Sequence, residues 1–100
     1  MRELVFLTDA REDLREIGFY IAQESGSTVI ALSFVDGIIE RCGRLAGLPG
    51  TLGTARSELR PDLRSIAHEN YVVFFRYIED RVEIVNIIHA HRDLVRLFDS

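Results

Sequence analysis

The residues of this chain that could do chemistry at neutral pH are its three histidines and its arginines. His68 and His89 carry imidazoles, which titrate near neutrality and serve as general acid or base. Set beside Arg64, Arg76 and Glu58, they compose a metal-free ribonuclease constellation. A base would take the 2′-hydroxyl proton, and a guanidinium would stabilise the charged phosphorane. His89 and His91 stand two residues apart, so on a strand they would share a face. No carboxylate or cysteine at suitable spacing completes a metal site, and none is expected. The competing reading pairs Arg56, Arg60, Arg64 and Arg76 with nearby acids as surface or sheet-edge ion pairs. In a small acidic domain, scattered His and Arg favour that reading over catalysis. There is no Gly-rich phosphate loop, nucleophile elbow or metal-ligand run, and no cofactor is expected.

Composition narrows the chemistry further. All 12 basic residues are Arg, so any mechanism that needs a lysine amine is excluded. The net charge of −4 counts against broad nucleic-acid binding. One hundred residues fit one domain, taken here as residues 1–100. The only cysteine, Cys42, forbids an intrachain disulfide and is expected to be a small buried apolar residue. Asp9 interrupts the N-terminal apolar run too early for a signal peptide, and no stretch has the length of a membrane span. The expectation is a cytoplasmic, soluble chain that does not meet a membrane.

The elements that must position these residues follow from periodicity. Residues 3–8 read as a short strand. Thr8 or Asp9 would cap a helix whose apolar face is Ala10, Leu14, Ile17 and Ile21. Gly26 is placed to end that helix in the left-handed conformation. Ser27 or Thr28 would cap a second helix to about Ala46. Its broad apolar set (Ala31, Leu32, Phe34, Val35, Ile38, Ile39, Cys42, Leu45) predicts contact with both the first helix and a sheet. Residues 47–53 read as a loop by their Gly and Pro content. Three strands follow, at Leu63–His68, Tyr71–Tyr77 and Val82–His89, with turns at Glu69-Asn70 and Glu79-Asp80. Arg92 to Phe98 reads as a last short helical turn. The order strand-helix-helix-strand-strand-strand defines an α+β domain, a helical hairpin packed on a small, mainly antiparallel sheet.

A hairpin covers only one face of such a sheet. Strict alternation puts Val72, Phe74, Val85 and Ile87 opposite Val73, Phe75, Ile84 and Ile88. One of these sets must be covered by the C-terminal segment, by curling of the sheet or by a partner. Phe19 lies on the side of the first helix away from Leu14 and Ile21. With Tyr20, Val29 and Ile30 it could build a docking groove for a partner helix.

Several positions fall at the spacings of a known family. In the second half these are Pro49, Gly53, Arg56, Glu58-Leu59-Arg60, Leu63-Arg64-Ser65, Tyr71, Phe75-Arg76, Val82-Glu83-Ile84-Val85, His89 and Arg92-Asp93. In the first half they are Thr8, Ala10, Asp13-Leu14, Ile17, Tyr20-Ile21-Ala22, Ala31, Phe34, Ile38, Cys42 and Leu45-Ala46. Together, from Leu4 to Phe98, the chain resembles the ParE branch of the RelE/ParE toxin superfamily of toxin–antitoxin systems. RelE-like members cleave messenger RNA on the ribosome with a basic site of catalytic Lys, Arg, Tyr or His. ParE-like members lack that set and poison DNA gyrase. This sequence has no Lys, and Asp93-Leu94 rather than a Tyr follows Arg92. The resemblance therefore implies a binding-type gyrase inhibitor, with a ribosome-dependent ribonuclease using Arg64, Arg76 and His89 as the alternative. It also implies a ParD-like ribbon-helix-helix antitoxin in a hetero-oligomer, with operator DNA reached only through the antitoxin. Phe19, Tyr20, Val29, Ile30, Val72, Phe74, Val85 and Ile87 are the expected antitoxin contacts. Arg56, Arg60, Arg64, His89 and Arg92 are the expected target contacts.

Overall fold

The computed structural model describes residues 2–91. Arg92 and the expected helical turn from Arg92 to Phe98 lie outside the described residues. Within them the chain forms β1 (Glu3–Phe6), α1 (Thr8–Ser25), α2 (Thr28–Gly47), β2 (Thr54–Ala55), β3 (Arg64–His68), β4 (Tyr71–Ile78) and β5 (Arg81–His89). The five strands make one sheet in the order β1-β5-β4-β3-β2. All neighbours are antiparallel except β1, which runs parallel to β5. None of the described helices is long and apolar enough to cross a membrane.

The first helix begins directly on the strand before it. Leu7 is the N-cap and offers no side-chain acceptor, which corrects the expectation of a Thr8 or Asp9 cap. The reason is that Leu7 is held by the sheet: its N–H donates to Ile84 O at 3.0 Å. Its side chain packs toward the sheet face away from the hairpin. No residue is left over to serve as a polar cap. Asp9 still sits in the first turn, where the macrodipole favours it. At the other end Gly26 adopts φ 68°, and Ser27 Oγ accepts from Ile30 N to start α2. Both signals act as the sequence predicts.

The hairpin packs on one face of the sheet. Its core joins Ala10, Ile17, Ile38, Cys42, Leu45 and Ala46 to Tyr71, Val73, Phe75, Val82, Ile84 and Ile87. A smaller cluster on the other face joins Leu63, Phe74 and Val85, with Leu7, Leu59, Val72 and Ile88 against it. Ile87 therefore lies under the hairpin and Ile88 on the second face, the reverse of strict alternation. The cause is a bulge. Phe74 pairs with Asn86 but Phe75 pairs with Ile84, which leaves Val85 as the extra residue. One inserted residue exchanges the faces of everything beyond it.

Asp13 secures the bulge. Beyond it, the Ile87 N–H points toward the side where β1 has already ended, so no strand can accept from it. Asp13 Oδ2 accepts this N–H at 2.8 Å and lies 3.5 Å from Asn86 Nδ2. Burial raises the Asp13 carboxyl above its ordinary value, and these hydrogen bonds partly oppose the rise.

Cys42 is fully buried, and burial pushes its thiol up to about 12. The thiolate is the reactive form, so the folded chain should resist thiol reagents. We expect Cys42 to react with Ellman's reagent at neutral pH only as fast as the protein opens, and promptly in denaturant. Rapid labelling without denaturant would contradict this placement.

Candidate functional site

The catalytic constellation suggested by residue type is not assembled. Arg64 and His89 share the hairpin face, but Arg64 pairs with Phe75 while His89 pairs with Tyr71. They are offset by about 13 Å along the strands and by two strands across the sheet, about 10 Å. Arg76 lies on the opposite face, beside Phe74.

Each of these side chains has structural work of its own. Arg64 Nε donates to Leu52 O at 2.7 Å and a terminal nitrogen donates to Gly53 O at 3.0 Å. Arg2 makes the matching contact at the start of the same loop, donating to Gly50 O at 2.8 Å. Tyr77 Oη accepts from Leu52 N at 3.0 Å, so residues 48–53 are pinned from three directions. Gly53 turns at φ +77° directly against Ser65 and Phe75. Arg56 donates to Ser65 Oγ at 2.7 Å and lies 3.7 Å from Glu58.

Arg76 and Arg81 both bind Glu83, each through Nε at 2.8 Å, one to each carboxylate oxygen. Arg76 also reaches Asp62 at 3.9 Å. Glu83 is only 6% exposed, so a carboxylate there needs these partners. The Arg81 and Arg76 hydrogen bonds hold it below the ordinary glutamate value. A group whose pKa falls on folding binds more protons when unfolded, so its stabilisation fades as pH drops through its titration. We expect denaturant melts to show stability falling as pH drops through and below the ordinary glutamate range. In Glu83→Gln that contribution should be missing, so its acid limb should be flatter. An acid limb in the variant as steep as in the parent chain would count against the assignment.

The histidines gather at one end of the sheet as packing elements. His68 meets the Phe34 ring edge-on at 6.0 Å, and Phe34 in turn meets Tyr71 at 5.6 Å. Tyr71 stacks edge-on with His89 at 5.3 Å. His91 lies 6.1 Å from His89 and donates its backbone N–H to His89 Nδ1 at 3.3 Å. Among the described residues no cluster of His, Cys, Asp or Glu could hold a metal ion.

Open apolar surface is found on the outside of the hairpin. A groove of ≈ 510 Å³ runs between the helices, floored by Gly18, Ala22, Ala31 and Val35 and walled by Leu14, Phe19, Leu32 and Ile39. A Cβ at Gly18 would lie 3.6 Å from Val35 Cγ2, an ordinary contact, so a methyl there would fit the floor without a clash. Phe19 is 69% exposed and Leu32 60%. Of the residues expected to make a groove, Phe19 lines it. Tyr20, Val29 and Ile30 are exposed around the hairpin tip rather than in it. Leu32 and Ile39 read as core by their place in the apolar set, and the structure turns them outward. Their spacing of seven residues was the signal for a second stripe.

On the second sheet face Phe74 and Val85 are buried, because Leu59 and Leu63 from the segment before β3 lie over them. Val72 and Ile88 remain partly open. Ile87, sealed beneath the hairpin, is removed from any contact surface.

A helical hairpin packed on a five-stranded sheet, an open apolar groove on the hairpin, and Arg64, Arg76 and His89 held apart define a small α+β protein. Residues 4–94 match the family model described as ParE toxin of type II toxin–antitoxin system, parDE, and the chain belongs to that family. Among solved structures it is similar to one described as the chromosomal ParDE TA system from P. aeruginosa. The two share 24% identity at a TM-score of 0.74, over 91% of this chain and 98% of that one, which shows a common fold. A comparison with curated proteins gives no match.

Proposed function

We propose that this toxin acts by binding DNA gyrase and blocking its supercoiling reaction, and that a ParD-like antitoxin neutralises it. The observation that carries this reading is the dispersal of Arg64, Arg76 and His89 over two faces and two ends of the sheet. A metal-free ribonuclease needs acid, base and phosphate clamp within hydrogen-bond reach of one scissile bond. The apolar groove between α1 and α2 suits an amphipathic helix with anchors at i, i+3, i+4 and i+7, the mode by which a disordered antitoxin tail would fold on binding. The ribbon-helix-helix half of that antitoxin would carry operator binding, which an acidic toxin is poorly suited to do itself.

The reading is tested with purified toxin, gyrase and relaxed plasmid. Supercoiling should fall with toxin concentration while cell-free translation continues. Unimpaired supercoiling at saturating toxin, with transcripts cut in the translation mix, would favour the ribosome-dependent ribonuclease instead.

A further inference from the structure

Two pairings of β5 with β4 differ by a single residue, and the structure holds the bulged one. In it Val85 is the extra residue, so Phe74 pairs with Asn86, Val73 with Ile87, Val72 with Ile88 and Tyr71 with His89. Without the bulge, the ladder would run on from Phe75 and Ile84 to Phe74 with Val85, Val73 with Asn86, Val72 with Ile87 and Tyr71 with Ile88. The flat ladder has the simpler backbone, because a bulge leaves one residue unpaired and disrupts hydrogen bonding around it. Side chains must therefore favour the bulged register or penalise the flat one.

Two residues tell the registers apart. Along β5 the backbone polar groups alternate between the β4 side and the β1 side. Glu3 N–H donates to Asp80 O and Leu7 N–H to Ile84 O, so before the bulge the even-numbered residues face β1. The extra residue reverses this, and the Ile87 N–H turns to the β1 side, where Asp13 Oδ2 accepts it at 2.8 Å. In the flat register Ile87 would face β4 and Asp13 would lose this donor. The amide brought to that side would be that of Asn86, about 3.4 Å back along the strand.

Asn86 acts in the opposite sense. In the observed register its side chain lies on the second face, partly exposed, beside Val85. In the flat register it would stand opposite Val73, fully buried beneath the hairpin, in the place that Ile87 now fills. An amide among the apolar side chains of that core would be costly, so flat pairing is penalised.

We propose that Asp13 and Asn86 form a register lock in β5, with Asp13 holding the bulged pairing and Asn86 barring the flat one. Either side chain suffices to keep the bulge. With both removed, residues 86–89 shift by one pairing position. Ile88 then faces Tyr71 under the hairpin, and His89 crosses to the second face. The lock decides which face the end of the strand presents. Its Asp13 half sits on α1, the helix whose Leu14 walls the groove.

The test uses the full chain labelled with 15N and 13C, with cross-strand nuclear Overhauser contacts reporting the register. Val73 should contact Ile87 in the parent chain, in Asp13→Ala and in Asn86→Val. In Asp13→Ala the Ile87 amide should also exchange with solvent at least about tenfold faster, because it loses its acceptor. In the double variant Asp13→Ala/Asn86→Val the Val73 contact should move to residue 86, and the Tyr71 contact from His89 to Ile88. Asp13→Asn/Asn86→Val should keep the bulge, since an amide oxygen still accepts the Ile87 N–H. The proposal is overturned if the folded double variant keeps the Val73–Ile87 contact, or if either single variant loses it. An unfolded double variant would overturn it too, because its flat register places no polar side chain in the core.

Discussion

Gly53→Ala should be the most damaging single-methyl change in this protein, costing about 3 kcal/mol of stability. Two effects combine. The position sits at φ +77°, where a side chain costs roughly 1–2 kcal/mol. The added Cβ would also stand 2.6 Å from Ser65 O and 2.9 Å from both Ile66 Cγ2 and Phe75 Cζ. Ser65 O belongs to β3 and Phe75 is fully buried, so neither can step aside cheaply. Overpacking of this kind adds about 1–3 kcal/mol. In a domain of this size the melting temperature should fall on the order of 15 °C. Gly50→Ala is the internal control. It has the same φ of +77° but nothing within 4 Å of the new methyl, so only the backbone cost of about 1–2 kcal/mol applies. Equal melting temperatures for the two variants would mean that the contacts around Gly53 do not matter.

The second large effect concerns association. On the function proposed above, Phe19→Ala should weaken antitoxin binding at least about 30-fold, as expected of an aromatic anchor worth about 2 kcal/mol or more. Leu32→Asp should weaken it further, because it buries an unpaired charge in an apolar groove. Neither should shift the melting temperature much, since exposed changes usually stay within about 0.5 kcal/mol. Calorimetric titration of antitoxin into each folded variant separates these quantities, and growth assays give the cellular readout. Cells making the Phe19→Ala toxin should stay arrested even when antitoxin is supplied. Parent-like affinity in both variants would move the antitoxin elsewhere on the surface.

The helices and the three long strands were legible because their signals are local: the Ala10–Ile21 stripe, the stop at Gly26, the cap at Ser27 and the tight turns. Three features were not. A bulge leaves no mark in an uninterrupted apolar run, so strict alternation puts Ile87 and Ile88 on the wrong faces. The strand Thr54–Ala55 is only two residues long and exists through its pairing with Ser65 and Arg64, beyond the reach of any periodicity. Arginine, finally, shows its charge in a sequence but not its partner. Arg64 is the clearest case, since its partners are main-chain carbonyls of Leu52 and Gly53, which no side-chain pattern encodes. The groove was half legible: Phe19 announced it, while Leu32 and Ile39 were indistinguishable from core residues.

The parallel pairing of β1 with β5 has a consequence for the timing of synthesis. Glu3–Phe6 find their strand partners only at Arg81–Ile84. At about 5–20 residues per second, the ribosome needs roughly 4–16 s to make the intervening chain. Until it is done, the core around Ile17, Ile38 and Cys42 lacks Val82, Ile84 and Ile87 of β5. The sheet face beneath the hairpin is therefore complete only once β5 has been made. A chain cut short before β5 would leave its first strand unpaired and could not complete this fold.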